Sequence, residues 1–180
     1  MTLLPVIELC DNFRVGRHEL IPFCLTEDRR TAVGLLWPKV VSELEEDNKF
    51  HEQSGSPSPW VFVYKSSQVS LVHFSPNIDT PTTRSAAMQA VSLRWRNEGK
   101  FADVIGGRLW RDELYAIYKN PFGPHDESNF AFEMERAACA IFGLVTYGIH
   151  MTVYHSPTPG TDEEYRIWVP KRSQTKQTCV

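Results

Sequence analysis

The sequence predicts an α+β fold in which a mixed or antiparallel sheet packs against helices. Three patterns point there. Two pairs of short apolar stretches are each joined by a polar turn, two longer stretches carry apolar residues at helical spacing, and no regular strand-helix-strand alternation calls for a parallel sheet. Apolar residues make up 42% of the 180 residues and charged residues 23%, proportions that suit a folded chain with a buried core rather than a disordered one.

Taken in order, residues 2–12 carry Leu3, Leu4, Ile7 and Leu9 for one face of a short helix, with Pro5 tolerable only in its first turn. Residues 20–25 and 31–36 read as strands around the polar turn Thr26-Glu27-Asp28-Arg29-Arg30, a β-hairpin. Pro38 suits a first helical position, and Val40, Val41 and Leu44 give the helix to about Asp47 a buried face that packs back on the hairpin. Residues 48–59, NKFHEQSGSPSP, read as an exposed loop. Residues 60–64 and 69–74 form a second hairpin pattern around Lys65-Ser66-Ser67-Gln68. Asp79 or Thr80 ahead of Pro81 then starts a helix running to about Glu98, stopped by Gly99. Met88, Val91 and Trp95 share its core face, while Arg84, Arg94, Arg96 and Glu98 are free to reach solvent. Further on, the pattern predicts a strand over 113–118, a loop over 119–129, a short helix over 133–142, a strand over 144–154 and a last strand over 165–169 before a basic tail.

The formal net charge of −3 argues against nucleic acid or an anionic membrane as a partner, since either would favour a basic surface. The apolar start of the chain lacks a basic flank and is broken by Pro5, Glu8 and Asp11, and no apolar run approaches the roughly 20 residues of a membrane-spanning helix. A cytoplasmic protein is expected. Cys10, Cys24, Cys139 and Cys179 form no CxxC pair, so buried free thiols are expected rather than a zinc site or a disulfide framework.

Six blocks carry a resemblance. They are FRVGRHELIPF, TAVGLLWP, TPTTRSAAMQAVSLRWRNEG followed by FADVIGGRLWRDELYAIY, then FEMERAACAIFGLVTYGIHMTVY and IWVPKRSQTKQT. In this order they resemble the domain upstream of the catalytic fold in thiamine pyrophosphokinase-related Nudix hydrolases of fungi and plants. The resemblance implies residues 1–160 as that upstream domain and 161–180 as the first strand and basic tail of a Nudix fold whose remainder is missing. It also implies diphosphate hydrolysis by the intact family, with thiamine diphosphate analogues among the substrates and Mg²⁺ or Mn²⁺ as cofactor.

The Nudix box itself is testable on the page. Gly107 has Glu113 at the box's first spacing, but Pro121 and Phe122 stand where it needs Arg-Glu, and His125 and Asp126 where it needs its last two acids. Those carboxylates hold the metal that neutralises the diphosphate, so no residue here is assigned a catalytic or metal-binding role and no cofactor is expected in this chain. Glu43, Glu45, Glu46 and Asp47 read as a solvated helical face. Asp112, Glu113, Glu133 and Glu135 are too sparse for a metal and suit ion pairs.

Lys171, Arg172 and Lys176 are the candidate contacts to a phosphorylated small molecule, against a solvated terminus as the plainer alternative. Tyr147 and His150 are candidates for lining a cleft between domains. The strand over 165–169, without the later strands that would pair with it, offers an apolar edge for self-association. A stand-alone binding module for a phosphorylated ligand or a partner chain is the rival reading.

Overall fold

The computed structural model describes residues 20–148 and 151–171. The helix expected over 2–12 lies outside the described residues. Within them the α+β fold is confirmed, with helices packed on mixed and antiparallel sheets.

Strands β1 (Ile21–Cys24) and β2 (Ala32–Leu36) form the first hairpin, and β3 (Trp60–Lys65) and β4 (Gln68–Phe74) the second. The second turns tightly because Ser66 and Ser67 both take left-handed backbone angles, φ 50° and 66°, whose twist matches the flanking strands. The two hairpins join into one sheet, ordered β2-β1-β4-β3, through a short parallel pairing of Phe23 with Val72 and Cys24 with His73.

Helix α1 (Pro38–Gln53) starts at the proline, as its sequence predicts, but continues well into the stretch expected to be loop. Its extra turns are held by Asn48, which exchanges hydrogen bonds with the Trp60 backbone, and by His51, whose Nε2 lies 3.3 Å from Arg94 Nη2; just before them lies a network that the charge pattern concealed. Asp47 is buried, accepts a hydrogen bond from Trp60 Nε1 at 2.8 Å, and faces Arg94 Nη1 at 2.8 Å. Asp47 Oδ1 and Arg94 Nη1 are not aligned as a hydrogen bond, so their attraction is Coulombic. Glu43, also buried, bridges Lys39 at 2.7 Å and Lys100 at 2.8 Å. The expected solvated face is therefore corrected: Glu43 and Asp47 point inward and tie α1 to the next helix, while Glu45 and Glu46 stay near solvent.

Helix α2 (Pro81–Asn97) begins with a capping box in which Thr80 and Thr83 satisfy each other's backbone N–H groups. Met88, Val91 and Trp95 are buried on one face, as expected. Arg84 and Arg94 do not reach freely into solvent: Arg84 is buried beside the Phe74 ring, and Arg94 lies 4.0 Å over the Phe50 ring. The core gathers where the sheet meets α2. Phe23 contacts Trp60, Phe74 and Phe142, and Trp95 stacks on Phe142 with centroids 5.4 Å apart.

After the short helix α3 (Ala102–Ile105), strands β5 (Leu114–Tyr118) and β6 (Phe130–Glu135) form a separate antiparallel pair against α2, where the Glu133 N–H donates to Ser85 Oγ at 2.9 Å. The helix expected over 133–142 is thus a strand followed by a 3₁₀ turn over Arg136–Ala140. The reason is a tertiary partner: β5 pairs with this stretch from Leu114 opposite Glu135 to Tyr118 opposite Phe130, and residues on both faces of β6 are buried. The strand expected over 144–154 is also corrected, since residues 144–148 carry no regular structure and β7 covers only Val153–His155. Gly143, at φ +57°, explains part of this. A Cβ there would sit 2.1 Å from the Leu35 carbonyl oxygen, and one on Gly34 would sit 2.3 Å from the Phe142 carbonyl oxygen. The chain crosses β2 backbone against backbone.

The last strand, β8 (Arg166–Trp168), is not unpartnered. It pairs antiparallel with β7, Val153 opposite Trp168 and Tyr154 opposite Ile167, in a ribbon exposed throughout. Among the described residues no helix is long and apolar enough to cross a membrane.

Candidate functional site

Two of the blocks singled out in the sequence, residues 101–118 and 132–154, are brought together by the β5–β6 pair. Glu135, at the end of β6, anchors the meeting point. It is buried, and its carboxylate accepts the backbone N–H groups of Arg111 at 3.1 Å, Glu113 at 3.3 Å and Ala137 at 3.0 Å. Between the first two lies Asp112 at φ +56°, a left-handed conformation that a non-glycine residue adopts only when its surroundings hold it. Glu135 is thus a backbone clamp, not the ion-pair partner expected of it. Glu113 does form an ion pair, with Arg136 Nη1 at 2.6 Å, and the Arg136 guanidinium also lies over the Tyr115 ring.

Clefts flank the segment that follows. On one side a cavity of about 540 Å³ is lined by Arg111, Arg136, Asp103, Cys139 and Thr146. Its volume lies within the range of small-molecule sites, about 300–1,000 Å³. Burial, then the charge of Glu135, pushes the Cys139 thiol up to about 12, so it is a neutral wall group and not a nucleophile. On the other side a cavity of about 220 Å³ lies between β2 and β5 and is lined by Tyr118, Pro121, Val145 and Tyr147. Tyr118 and His125 stack beside it at 4.4 Å, and His125 meets Tyr147 at 5.4 Å. That volume holds a ring or a short fragment, not a whole diphosphate ester. A further cavity of about 590 Å³ next to Leu20 is lined by Arg29, Lys65 and Glu45. There Arg29 Nη2 already donates to the Ser70 carbonyl oxygen at 3.3 Å, and Glu45 offsets its charge.

Of the residues expected to bind a ligand, Tyr147 is placed in a built environment. Its N–H donates to Tyr115 Oη at 2.7 Å and its hydroxyl donates to the Pro121 carbonyl oxygen, so it closes the loop after β5 as well as lining the smaller cleft. Lys171 is exposed beyond β8. His150, Arg172 and Lys176 lie outside the described residues. Arg111, Arg136 and Thr146 were not singled out in the sequence, although all three lie inside the two family-like blocks, which was the signal available.

The metal that the resemblance implies needs a carboxylate cluster. Among the described residues no group of three or more His, Cys, Asp or Glu side chains is placed to hold an ion, and the nearest acids are spent on backbone amides or on Arg136. The described residues do not fit that metal.

The described residues define an α+β domain with clefts beside its β5–β6 pair. The chain belongs to the family described as a domain of unknown function, DUF4743, whose profile matches residues 2–146. It is distantly similar to Nudix hydrolase 20, chloroplastic, of Arabidopsis thaliana, at 29% identity over 177 residues, which is 96% of this chain and 40% of that protein. Uncharacterized protein YJR142W of Saccharomyces cerevisiae is 36% identical over 79 residues, 43% of this chain and 20% of that protein. The chain therefore spans well under half the length of these relatives.

Proposed function

We propose that the chain is an accessory, substrate-positioning domain of a thiamine pyrophosphokinase-related Nudix hydrolase and that the 180 residues do not hydrolyse diphosphates by themselves. One observation carries this reading. Similarity to the Arabidopsis hydrolase runs through 96% of this chain yet takes in only 40% of that enzyme, and the shared region contains no Nudix box. The chemistry then belongs to a Nudix fold, of which residues 161–180 are the opening strand and basic tail. Diphosphates of thiamine analogues are the proposed substrates, and Mg²⁺ or Mn²⁺ is required only by that fold. The apolar ribbon of β7 and β8, with Trp168 at 73% and Ile167 at 62% exposure, supports self-association of the chain in the absence of such a fold.

A chimera tests the assignment. Residues 1–180 replace the matching region of the Arabidopsis hydrolase, and metal-dependent diphosphate hydrolysis is expected to survive in the chimera and to be absent from the isolated chain. Release of thiamine monophosphate by the isolated chain with Mg²⁺, lost on Glu113→Gln, would overturn it.

A second reading, a stand-alone module for a phosphorylated ligand, is favoured by the fact that, among the described residues, the 540 Å³ cleft is lined from within residues 103–146 alone. A folded but inactive chimera, beside an isolated chain that binds phosphate compounds, would select it.

A further inference from the structure

The arginines of the larger cleft are unusual in what they lack. The Arg111 guanidinium has no hydrogen bond or ion pair within the described residues, although its backbone is fixed by Glu135 and by the left-handed Asp112 beside it. Arg136 spends one of its five N–H donors, through Nη1, on Glu113, and the stacking on Tyr115 holds its plane. Nε and Nη2 remain unspent. Thr146 Oγ1 is likewise without a partner within the described residues. Against two cationic heads the lining sets one carboxylate, Asp103, and the Cys139 thiol stays protonated at neutral pH. Glu113 balances Arg136 and Asp103 shares the lining with Arg111, so what the cavity offers is unspent hydrogen-bond donors rather than net charge: two planar forks and a hydroxyl, matched by a tetrahedral oxyanion whose several acceptors can take paired N–H donors at once. The basic tail, by comparison, offers Lys171 on an exposed strand end with no cavity around it.

We infer that the cleft lined by Arg111, Arg136 and Thr146 binds the phosphoryl group of a phosphorylated small molecule, with the two guanidinium groups as the paired cations and the threonine hydroxyl as an additional hydrogen-bonding group. The inference rests on the accessory-domain reading only in taking the anion to be phosphoryl rather than carboxylate. It moves the phosphate contact from the tail, where sequence alone puts it, to the junction of β5, β6 and the segment after Gly143.

The test is calorimetric titration of the 180-residue chain with pyrophosphate, with inorganic phosphate and acetate as parallel arms. Saturable pyrophosphate binding is expected, weaker phosphate binding, and none with acetate. Arg111→Gln should weaken the pyrophosphate affinity about tenfold, the loss of one charge-assisted contact. Arg111 is exposed and its side chain has no partner among the described residues, so this variant should melt like the parent and decides the matter even if Arg136→Gln, which also breaks the Glu113 pair, fails to fold. Arg29→Gln, in the separate cavity beside β1, should leave binding unchanged. Absence of saturable pyrophosphate binding, equal binding of acetate, or a loss that follows Lys171→Gln and not Arg111→Gln would overturn the inference. An active chimera without pyrophosphate binding to this cleft would sink the inference and leave the accessory-domain reading standing. Binding that depends on Arg111, together with an inactive chimera, would do the reverse.

Discussion

Replacing Arg94 by methionine isolates the buried ion pair that ties the two long helices together. Asp47 is 4% exposed and its counter-charge is Arg94, at 2.8 Å, with Trp60 Nε1 as its hydrogen-bond donor. Removing the partner of a buried charge costs about 3–5 kcal/mol, because the remaining ion keeps its desolvation penalty. Methionine fills much of the arginine stem and keeps a contact with Phe50, so the loss is electrostatic more than steric. The Asp47→Asn/Arg94→Met double variant leaves a neutral amide that still accepts from Trp60, and it should recover at least about 1.5 kcal/mol of the single variant's deficit. The pH dependence gives a second reading of the same effect. Burial holds the Asp47 carboxyl above its ordinary range, opposed by Trp60 and then Arg94, so losing Arg94 raises it further. A folded carboxyl above its unfolded value keeps a proton that the unfolded chain has released. Stability of Arg94→Met therefore rises as pH falls from above that raised value toward the ordinary carboxylate range, and its deficit shrinks in the same direction. Glu43 works the other way. Burial alone would raise it, but hydrogen bonds from Lys100 and Lys39 outweigh burial and hold it below its ordinary value, so its contribution is lost as pH falls through that lowered value. Urea denaturation followed by tryptophan fluorescence at several pH values measures all of this. A deficit under about 1 kcal/mol, or one that does not change with pH, would refute the reasoning.

Trp95→Ala should cost about 3–5 kcal/mol, since the indole is fully enclosed between Phe101 and Phe142, and an unchanged thermal melt would show that it carries no core weight. In a Cys10→Ser/Cys179→Ser background neither remaining thiol should react with Ellman's reagent in the native state, because burial pushes Cys24 up to about 11 and Cys139 up to about 12; both should react in denaturant, and rapid native labelling would contradict their placement. Ending the chain after Gly148, which removes the whole exposed β7–β8 ribbon, should reduce oligomers in sedimentation velocity, and identical profiles for both lengths would remove the ribbon from any self-association.

Both hairpins of the main sheet, the start of α1 and the whole of α2 were legible in the sequence because each is specified locally, by a turn, a proline or a cap. The errors fall where distant residues decide. Phe130 to Glu135 can be read as helix or strand until β5 is there to pair with it. The acids of α1 look solvated until Arg94 and Lys100, far along the chain, turn two of them inward. The same holds for the site. Tyr147 could be singled out through its block, but Arg111 becomes a candidate only when Glu135 fixes its backbone and the cleft lining is seen to set only Asp103 against it. Ion pairing, burial and emptiness of a guanidinium are properties of the assembled fold, and a one-dimensional pattern does not carry them.

The parallel contact at the centre of the main sheet bears on how the protein folds. Each hairpin closes a short loop and can form on its own, whereas Phe23 meets Val72 and Cys24 meets His73 only after α1 and the whole second hairpin have been made. The chain entropy of that long closure falls on two residue pairs, and Phe23 is the side chain that repays it by inserting between Trp60, Phe74 and Phe142. Docking of one hairpin onto the other is then expected to limit folding: in stopped-flow refolding, trimming Phe23 should slow the rate as well as hasten unfolding, while a change confined to the Ser66-Ser67 turn should act through the earlier, local event.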